Sequence, residues 1–285
     1  KRNPEKILNS LTQHSSDLAY KFERLYRLLF NEEMYYIAYQ SIYAKQGNMT
    51  KGVDGKTIDG FSISHIERLI GTLKDETYQP NPSQRVYIPK KSGKMRPLGI
   101  PSFIDKLLQE VIRMILEAIY EPRFSKHSHG FRPKRSCHTA LAEIEKTFCG
   151  VKWFVEGDIK GFFDHINHRI LLKKLWHIGV HDKRVLAMIK AMLKAGYMED
   201  WRYHITYSGT PQGGIISPIL ANIYLHELDK FVMALKAGFD VYEEKKYTPE
   251  YNAQLSKKKV VQRQIKKAEG EERQQLIDKY KEIRK

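Results

Sequence analysis

An α+β fold, richer in helix than in strand, is what this sequence predicts, and three observations lead there. Apolar residues recur at helical spacing through most of the chain, as in Leu107, Leu108, Val111, Ile112, Ile115, Leu116 and Ile119. Two stretches, 85–100 and 151–158, carry strand patterns beside turn residues. Both patterns occur within one chain, which implies helices packed on a sheet.

The opening predicts helix: Leu18, Phe22, Leu25 and Leu29, then Met34, Ile37 and Ala38, stand at helical spacing, with a new start at Asn31-Glu32-Glu33. Residues 47–60 hold several glycines and read as a loop. A helix over about 64–74 would bury Ile66, Leu69, Ile70 and Leu73. Residues 85–100 form a hairpin around the basic turn Lys90-Lys91-Ser92-Gly93-Lys94. Ser102 caps the next helix, so apolar all round that it must be central. Gly130-Phe131-Arg132-Pro133 is a turn, and Ser136 caps a helix ending near Gly150. A strand then runs from Val151. Helices follow from about Asn167 and from Asp182, with a short hairpin around 203–207 and a long helix after Gly214. Beyond Val241 sparse apolar stripes predict two charged helices joined near Gly270, or a mobile insertion.

The chain of 285 residues is 41% hydrophobic and 11% aromatic, enough to bury a core and to exclude a disordered chain. It lacks a run of some twenty apolar residues, so no membrane span is expected. The N-terminus lacks the pattern of a signal peptide. Cys137 and Cys149, the two cysteines, are read as reduced thiols of an intracellular protein. A formal net charge of +16 attracts polyanions, nucleic acid first.

Two motifs carry chemistry. In Phe154-Val155-Glu156-Gly157-Asp158-Ile159-Lys160-Gly161-Phe162-Phe163-Asp164, an aspartate follows an apolar run and precedes an aromatic pair. An isolated aspartate there would cap a turn, and Phe162 reads as core. Later, Gly209-Thr210-Pro211-Gln212-Gly213-Gly214 is a turn whose glycines permit close backbone approach, followed by a helix burying Ile219, Leu220 and Ile223.

In this order the motifs resemble motifs A and B of a reverse transcriptase palm. Arg85-Val86-Tyr87-Ile88-Pro89-Lys90, Met95-Arg96-Pro97-Leu98-Gly99-Ile100-Pro101 and Ser128-His129-Gly130-Phe131-Arg132-Pro133 are similar to the fingers of group II intron reverse transcriptases. Thr50-Lys51-Gly52-Val53-Asp54-Gly55 resembles that family's N-terminal extension. The resemblance spans roughly 20–235. It implies a right-hand polymerase: fingers with the extension over 1–150, a partial palm with an antiparallel sheet over 151–240, and a charged helical insertion over 241–285.

The family copies RNA into DNA by two-metal nucleotidyl transfer and binds its intron RNA to assist splicing and retrohoming. The resemblance therefore implies Mg2+, dNTPs, an RNA template with its DNA primer, and intron RNA, with no membrane; a homodimer stays open. Asp158 and the carbonyl of Ile159 become metal ligands. Asp164 is read as a capping or hydrogen-bonding residue. Lys94 and Arg96 reach the triphosphate, Phe163 excludes a 2′-hydroxyl by clash, and Gln212 with Gly213 meets the sugar or template base. Lys90, Lys91, Arg132, Lys134 and Arg135 face RNA. The family's palm continues to a Tyr-Ala-Asp-Asp hairpin, and this chain holds no Asp-Asp pair. A fragment inactive by itself is therefore expected, with a silent RNA-binding splicing module as the alternative. The expected compartment is a bacterial-type cytoplasm, an organellar origin staying open.

Overall fold

A computed structural model describes residues 2–43, 45–59, 61–91, 93–151, 153–239 and 247–284. It divides into two compact units, one up to Met233 and one from Ala234. The expected edge at 240–241 lies outside the described residues.

The first unit opens on a helix that the periodicity did not announce. Helix α1 (Pro4–Ser15) starts where the Asn3 side chain accepts hydrogen bonds from the Glu5 and Lys6 amides, with Pro4 at the first position. The helix expected from Leu18 is absent. Phe22 instead donates its amide to the Gly179 carbonyl (2.7 Å) and accepts from His181 (3.0 Å), and Arg24 takes a left-handed φ of 59°. That pairing overrides the local pattern, and a 3-10 turn at Leu25–Phe30 follows. Phe22, Leu25 and Leu29 are nonetheless buried. From Phe22 onward the spacing reported burial and not helix, whereas Leu18 is 77% exposed.

Helices α2 (Glu32–Tyr43) and α3 (Ile63–Lys74) follow, the latter burying the four expected residues. Strands β1 (Ser83–Pro89) and β2 (Met95–Ile100) form the antiparallel hairpin, Val86 opposite Leu98. Ser102 caps helix α4 (Phe103–Tyr120), the buried centre of the unit, which packs against α1 and α2. Helix α5 (Cys137–Thr147) starts at Ser136 as expected but buries no residue. A short α6 (Phe162–His165) precedes α7 (His168–His177) and α8 (Lys183–Lys194), capped by Asn167 and Asp182.

Strands β3 (Tyr197–Glu199) and β4 (Arg202–His204) form a second hairpin, six residues earlier than expected at its start. Its turn residues Asp200 and Trp201 both have positive φ, 48° and 63°, a conformation for which tryptophan gives no sequence signal. The sheet runs β2-β1-β3-β4, with β1 and β3 parallel through Ser83 and Tyr197, so it is mixed and not purely antiparallel. Helix α9 (Ser217–Phe239) follows and buries Ile219, Leu220 and Ile223. The main core runs from Phe22 to Ile223.

The strand expected from Val151 does not form. Residues 153–159 pair with no strand among the described residues, and Trp153 and Val155 are 87% and 93% exposed. Strand pattern without a neighbour to complete the ladder leaves the backbone to water.

In the second unit α10 (Pro249–Ile265) and α11 (Gly270–Arg284) pack side by side, the Gln262 amide donating to the Tyr280 hydroxyl (2.8 Å). These are the two expected charged helices, and Gly270 supplies the left-handed joint at φ 59°. No helix of the described residues is long and apolar enough to cross a membrane.

Candidate functional site

The loop before α9 is stitched into its surroundings by backbone bonds. The Gly209 amide donates to Ile166 (2.7 Å) and Thr210 to Phe163 (2.8 Å), so the loop is tied to the chain around α6. On its other side Gly99 of β2 donates to the Gln212 carbonyl (2.6 Å). Gln109 of α4 accepts from the Ile215 amide (3.0 Å), and the Ser217 hydroxyl donates to Pro211 (2.8 Å). Gly213 has φ 106°, and a Cβ there would lie 2.8 Å from the Gly99 carbonyl oxygen. Only glycine permits this approach. Motifs far apart in sequence thus meet on one scaffold.

Between this loop and the sheet lies a cavity of about 220 Å³ lined by Arg85, Asp164, Tyr197, Thr210 and Gln212. The Arg85 guanidinium lies 3.8 Å from the Tyr197 ring centroid. Arg85 Nε and Thr210 Oγ1 are buried and make no hydrogen bond among the described residues. Each such atom costs about 1–3 kcal/mol if it stays unsatisfied, so the cavity is chemically suited to a polar guest. Arg85, Tyr197 and Thr210 were missed as site residues. The parallel pairing of β1 with β3, which brings them together, has no local signal.

Phe163 is half-buried, meeting Phe131 and Phe162 edge-on at 6.5 and 5.8 Å. It therefore packs against the core as well as bordering the loop. Asp164 makes no helix cap; Asn167 does that for α7, and Asp164 lines the cavity. At the tip of the β1–β2 hairpin, Lys90, Lys91 and Arg96 line an open basic notch of about 400 Å³, and Lys94 is exposed beside it.

Asp158 and Ile159 lie in the exposed segment, and the Asp158 carboxylate has no hydrogen bond or ion pair among the described residues. No three His, Cys, Asp or Glu side chains converge to hold a metal ion among the described residues. Mg2+ in a two-ion site needs several hard oxygen ligands, and Asp158 with one carbonyl does not fit that demand.

The expected RNA-facing residues divide. Lys134 is exposed and Arg135 half-buried. Arg132 is a correction. Its side chain is 4% exposed, Nε and Nη2 are forked onto Glu121, and Nη1 donates to the carbonyls of Ser125 and Ser128. With every donor in use it braces the turn and has none left for a phosphate. Beside it His127 and His129 both hydrogen-bond Glu143, and those two bonds hold the Glu143 carboxyl below the usual range.

A family model described as reverse transcriptase (RNA-dependent DNA polymerase) matches residues 88–242, more than half of the chain. The chain belongs to the reverse transcriptase family. The match spans the hairpin tip, both motifs and α9. Within the family its likeness is to group II intron reverse transcriptases and maturases. Group II intron-encoded protein LtrA of Lactococcus lactis subsp. cremoris is 53% identical over 281 residues, 98% of this chain and 47% of that protein. An uncharacterized 91 kDa protein in the cob intron of Schizosaccharomyces pombe is 49% identical over 74% of this chain and 26% of its own length. This reverse transcriptase chain thus spans less than half of either relative. A chain of the solved partial Cas6-RT-Cas1--Cas2 complex is 24% identical with a TM-score of 0.49, covering 74% of this chain and 35% of that one.

Proposed function

We propose that the chain supplies the fingers and first part of the palm of an RNA-directed DNA polymerase encoded by a group II intron, which also binds its intron RNA to assist splicing and retrohoming. One observation carries the reading: the Gln212 loop is pinned to β2 through Gly99 and faces the same cavity as Arg85 and Thr210. A nucleotide's sugar and phosphates present the polar groups those orphan atoms require. In this reading Gln212 and Gly213 hold the sugar, and Lys94 and Arg96 hold the triphosphate. Phe163 rejects a 2′-hydroxyl, while Lys90, Lys91, Lys134 and Arg135 follow the RNA backbone.

Asp158 is one ligand of a Mg2+ site in the whole protein, with the Ile159 carbonyl beside it. The described residues bring no further carboxylates to it, so no step through the metal is drawn on these residues alone. By itself the chain acts as an RNA-binding module. We place the protein in a bacterial-type cytoplasm, where the exposed Cys137 and Cys149 stay reduced.

Primer extension tests this. The whole protein should incorporate dNTPs on an RNA template, and Phe163→Val should raise ribonucleotide use more than it lowers dNTP turnover. This chain alone should incorporate nothing; template-dependent incorporation by it would overturn the incomplete site.

A further inference from the structure

A second cleft, of about 900 Å³, opens between α7 and α8. Its α7 wall is the stripe Arg169, Leu172, Lys173 and Trp176, spaced three, four and seven residues from the first as one helix face requires. Leu171 and Leu175 take the other face into the core. Lys190 and Lys194, one turn apart on α8, form the facing wall, while Ile189 and Leu193 are buried behind them. Along these faces each helix turns apolar residues to the core and cations to the cleft, while Lys174 lies over the Tyr224 ring and Arg184 pairs with Glu76 elsewhere.

An ordinary solvated helix face interleaves acids with bases, as α11 does with Asp278 and Lys281 and α9 with Glu227 and Lys230. Here no carboxylate lines the cleft. Arg169, Lys173, Lys190 and Lys194 form no ion pair among the described residues. Four like charges facing one space without counter-charge favour a polyanion there, and the cleft is far larger than a single ion needs.

Two aromatics define the class further. Trp176 is half-buried and stacked on His181 at 4.1 Å between centroids, and Tyr207 is 84% exposed at the rim. Rings beside cations are the combination that holds an unpaired base and its phosphates, because a duplex keeps its base faces stacked inside. Tyr207 also borders the Gln212 cavity, and His168 Nε2 donates to the Gly209 carbonyl (2.7 Å), so the cleft shares a wall with the polymerase loop.

We propose that the α7–α8 cleft is an RNA-binding site distinct from the Gln212 cavity, taking a single-stranded RNA segment by its phosphates on Arg169, Lys173, Lys190 and Lys194 and by a base on Tyr207. The site rests on the reading of the chain as an intron-RNA binder.

The test measures binding of the full chain to structured group II intron RNA and to a fluorescent oligouridylate across a salt series. Lys173→Glu with Lys190→Glu should weaken oligouridylate binding about tenfold or more and flatten the log–log salt slope by about 1.4, two phosphates' worth. Tyr207→Ala should lose about tenfold with the slope unchanged. Lys257→Glu with Lys259→Glu, the same charge change on α10, should do neither, and melting temperatures should match throughout. Equal loss in the α10 variant, or none in the cleft variant, overturns the site. Duplex RNA of equal length competing as well as the single strand overturns the base contact. Failure of the unaltered chain to bind intron RNA removes the reading beneath it, whereas retained binding in the cleft variant removes only the cleft.

Discussion

Truncating Arg132 should unfold the turn it braces and leave RNA contacts untouched. Its Nε donates to both Glu121 carboxylate oxygens (3.2 and 3.0 Å), and Nη2 donates to Oε1 (2.8 Å) and to the Glu121 carbonyl (3.4 Å). Nη1 donates to the Ser125 and Ser128 carbonyls at 2.6 and 2.7 Å. Arg132→Ala deserts all of these acceptors at once. Breaking a buried pair costs about 3–5 kcal/mol, and each stranded carbonyl adds about 1. The Glu121 side chain is 29% exposed, so water recovers part of that. A loss of about 2–4 kcal/mol remains, large beside a total stability of about 5–15. Urea unfolding reads this as a fall of about 1 M in the midpoint with the slope unchanged. Arg132→Lys should recover less than half, since an ammonium cannot fork onto a carboxylate while reaching two carbonyls. A variant that keeps its midpoint but loses RNA affinity, with a salt slope flatter by about 0.7, would show Arg132 to be a phosphate contact and the bracing role to be wrong.

Four further outcomes are expected. Gly213→Ala combines a φ of 106° with a Cβ 2.8 Å from the Gly99 oxygen, so it should cost about 1–3 kcal/mol and lower the melting temperature by about 3–10 °C. Gly130→Ala, with nothing within 4 Å, should leave the melting temperature in place. Burial, and then Lys230, hold the His226 ring below its ordinary range, so the fold keeps it neutral while the unfolded chain binds a proton. That contribution is present above about pH 6.5 and is lost as pH falls toward the folded value. Urea midpoints at about pH 5.5 and 7.5 should therefore differ less in His226→Phe than in the parent. Every residue of the main core lies at or before Ile223, so residues 1–233 alone should melt within about 3 °C of the full chain; a collapse would show the helices of the second unit to be integral to the first.

Local chemistry was legible in the sequence and distant pairing was not. Ser102, Ser136, Asn167 and Asp182 mark helix starts because a cap is a bond within three residues, and the β1–β2 hairpin is set by its own turn. Phe22 to Leu29 misled because their burial is satisfied by a bridge from Phe22 to Val180, 158 residues away, while Leu18 stays exposed. Arg132, in a turn of a basic chain, looks like a phosphate ligand until Glu121, eleven residues away, comes to rest against it. The turn at Gln212 and Gly213 was legible from its glycines, yet the cavity beside it, where Arg85 meets Tyr197, appears only once β1 pairs with β3. The cations of the α7–α8 cleft went unread, because facing Lys190 and Lys194 with Arg169 and Lys173 takes the packing of two helices.

The two polymerase motifs reach different degrees of order, and the difference bears on catalysis. Motif B is fixed by bonds to β2, α4 and the chain around α6, so Gln212 sits on a scaffold that many contacts define together. Motif A divides at Gly161. After it, Phe163 and Ile166 are tied to Thr210 and Gly209; before it, residues 153–160 are exposed and no ladder holds them. Asp158 belongs to the untied half. Nucleotidyl transfer tolerates misplacement of a metal ligand by only about 0.5 Å, which an unpaired segment cannot guarantee. Trp153, Phe154 and Val155 give the segment ample apolar surface to bury and a backbone with free donors and acceptors. A strand paired against it would fix Asp158 through the backbone, as Gly99 fixes Gln212. In the proposed reading, binding of nucleotide and RNA requires only the half that is already built, while polymerisation requires that pairing as well as further carboxylates. Nucleotide affinity and RNA affinity should therefore survive in this chain when turnover does not.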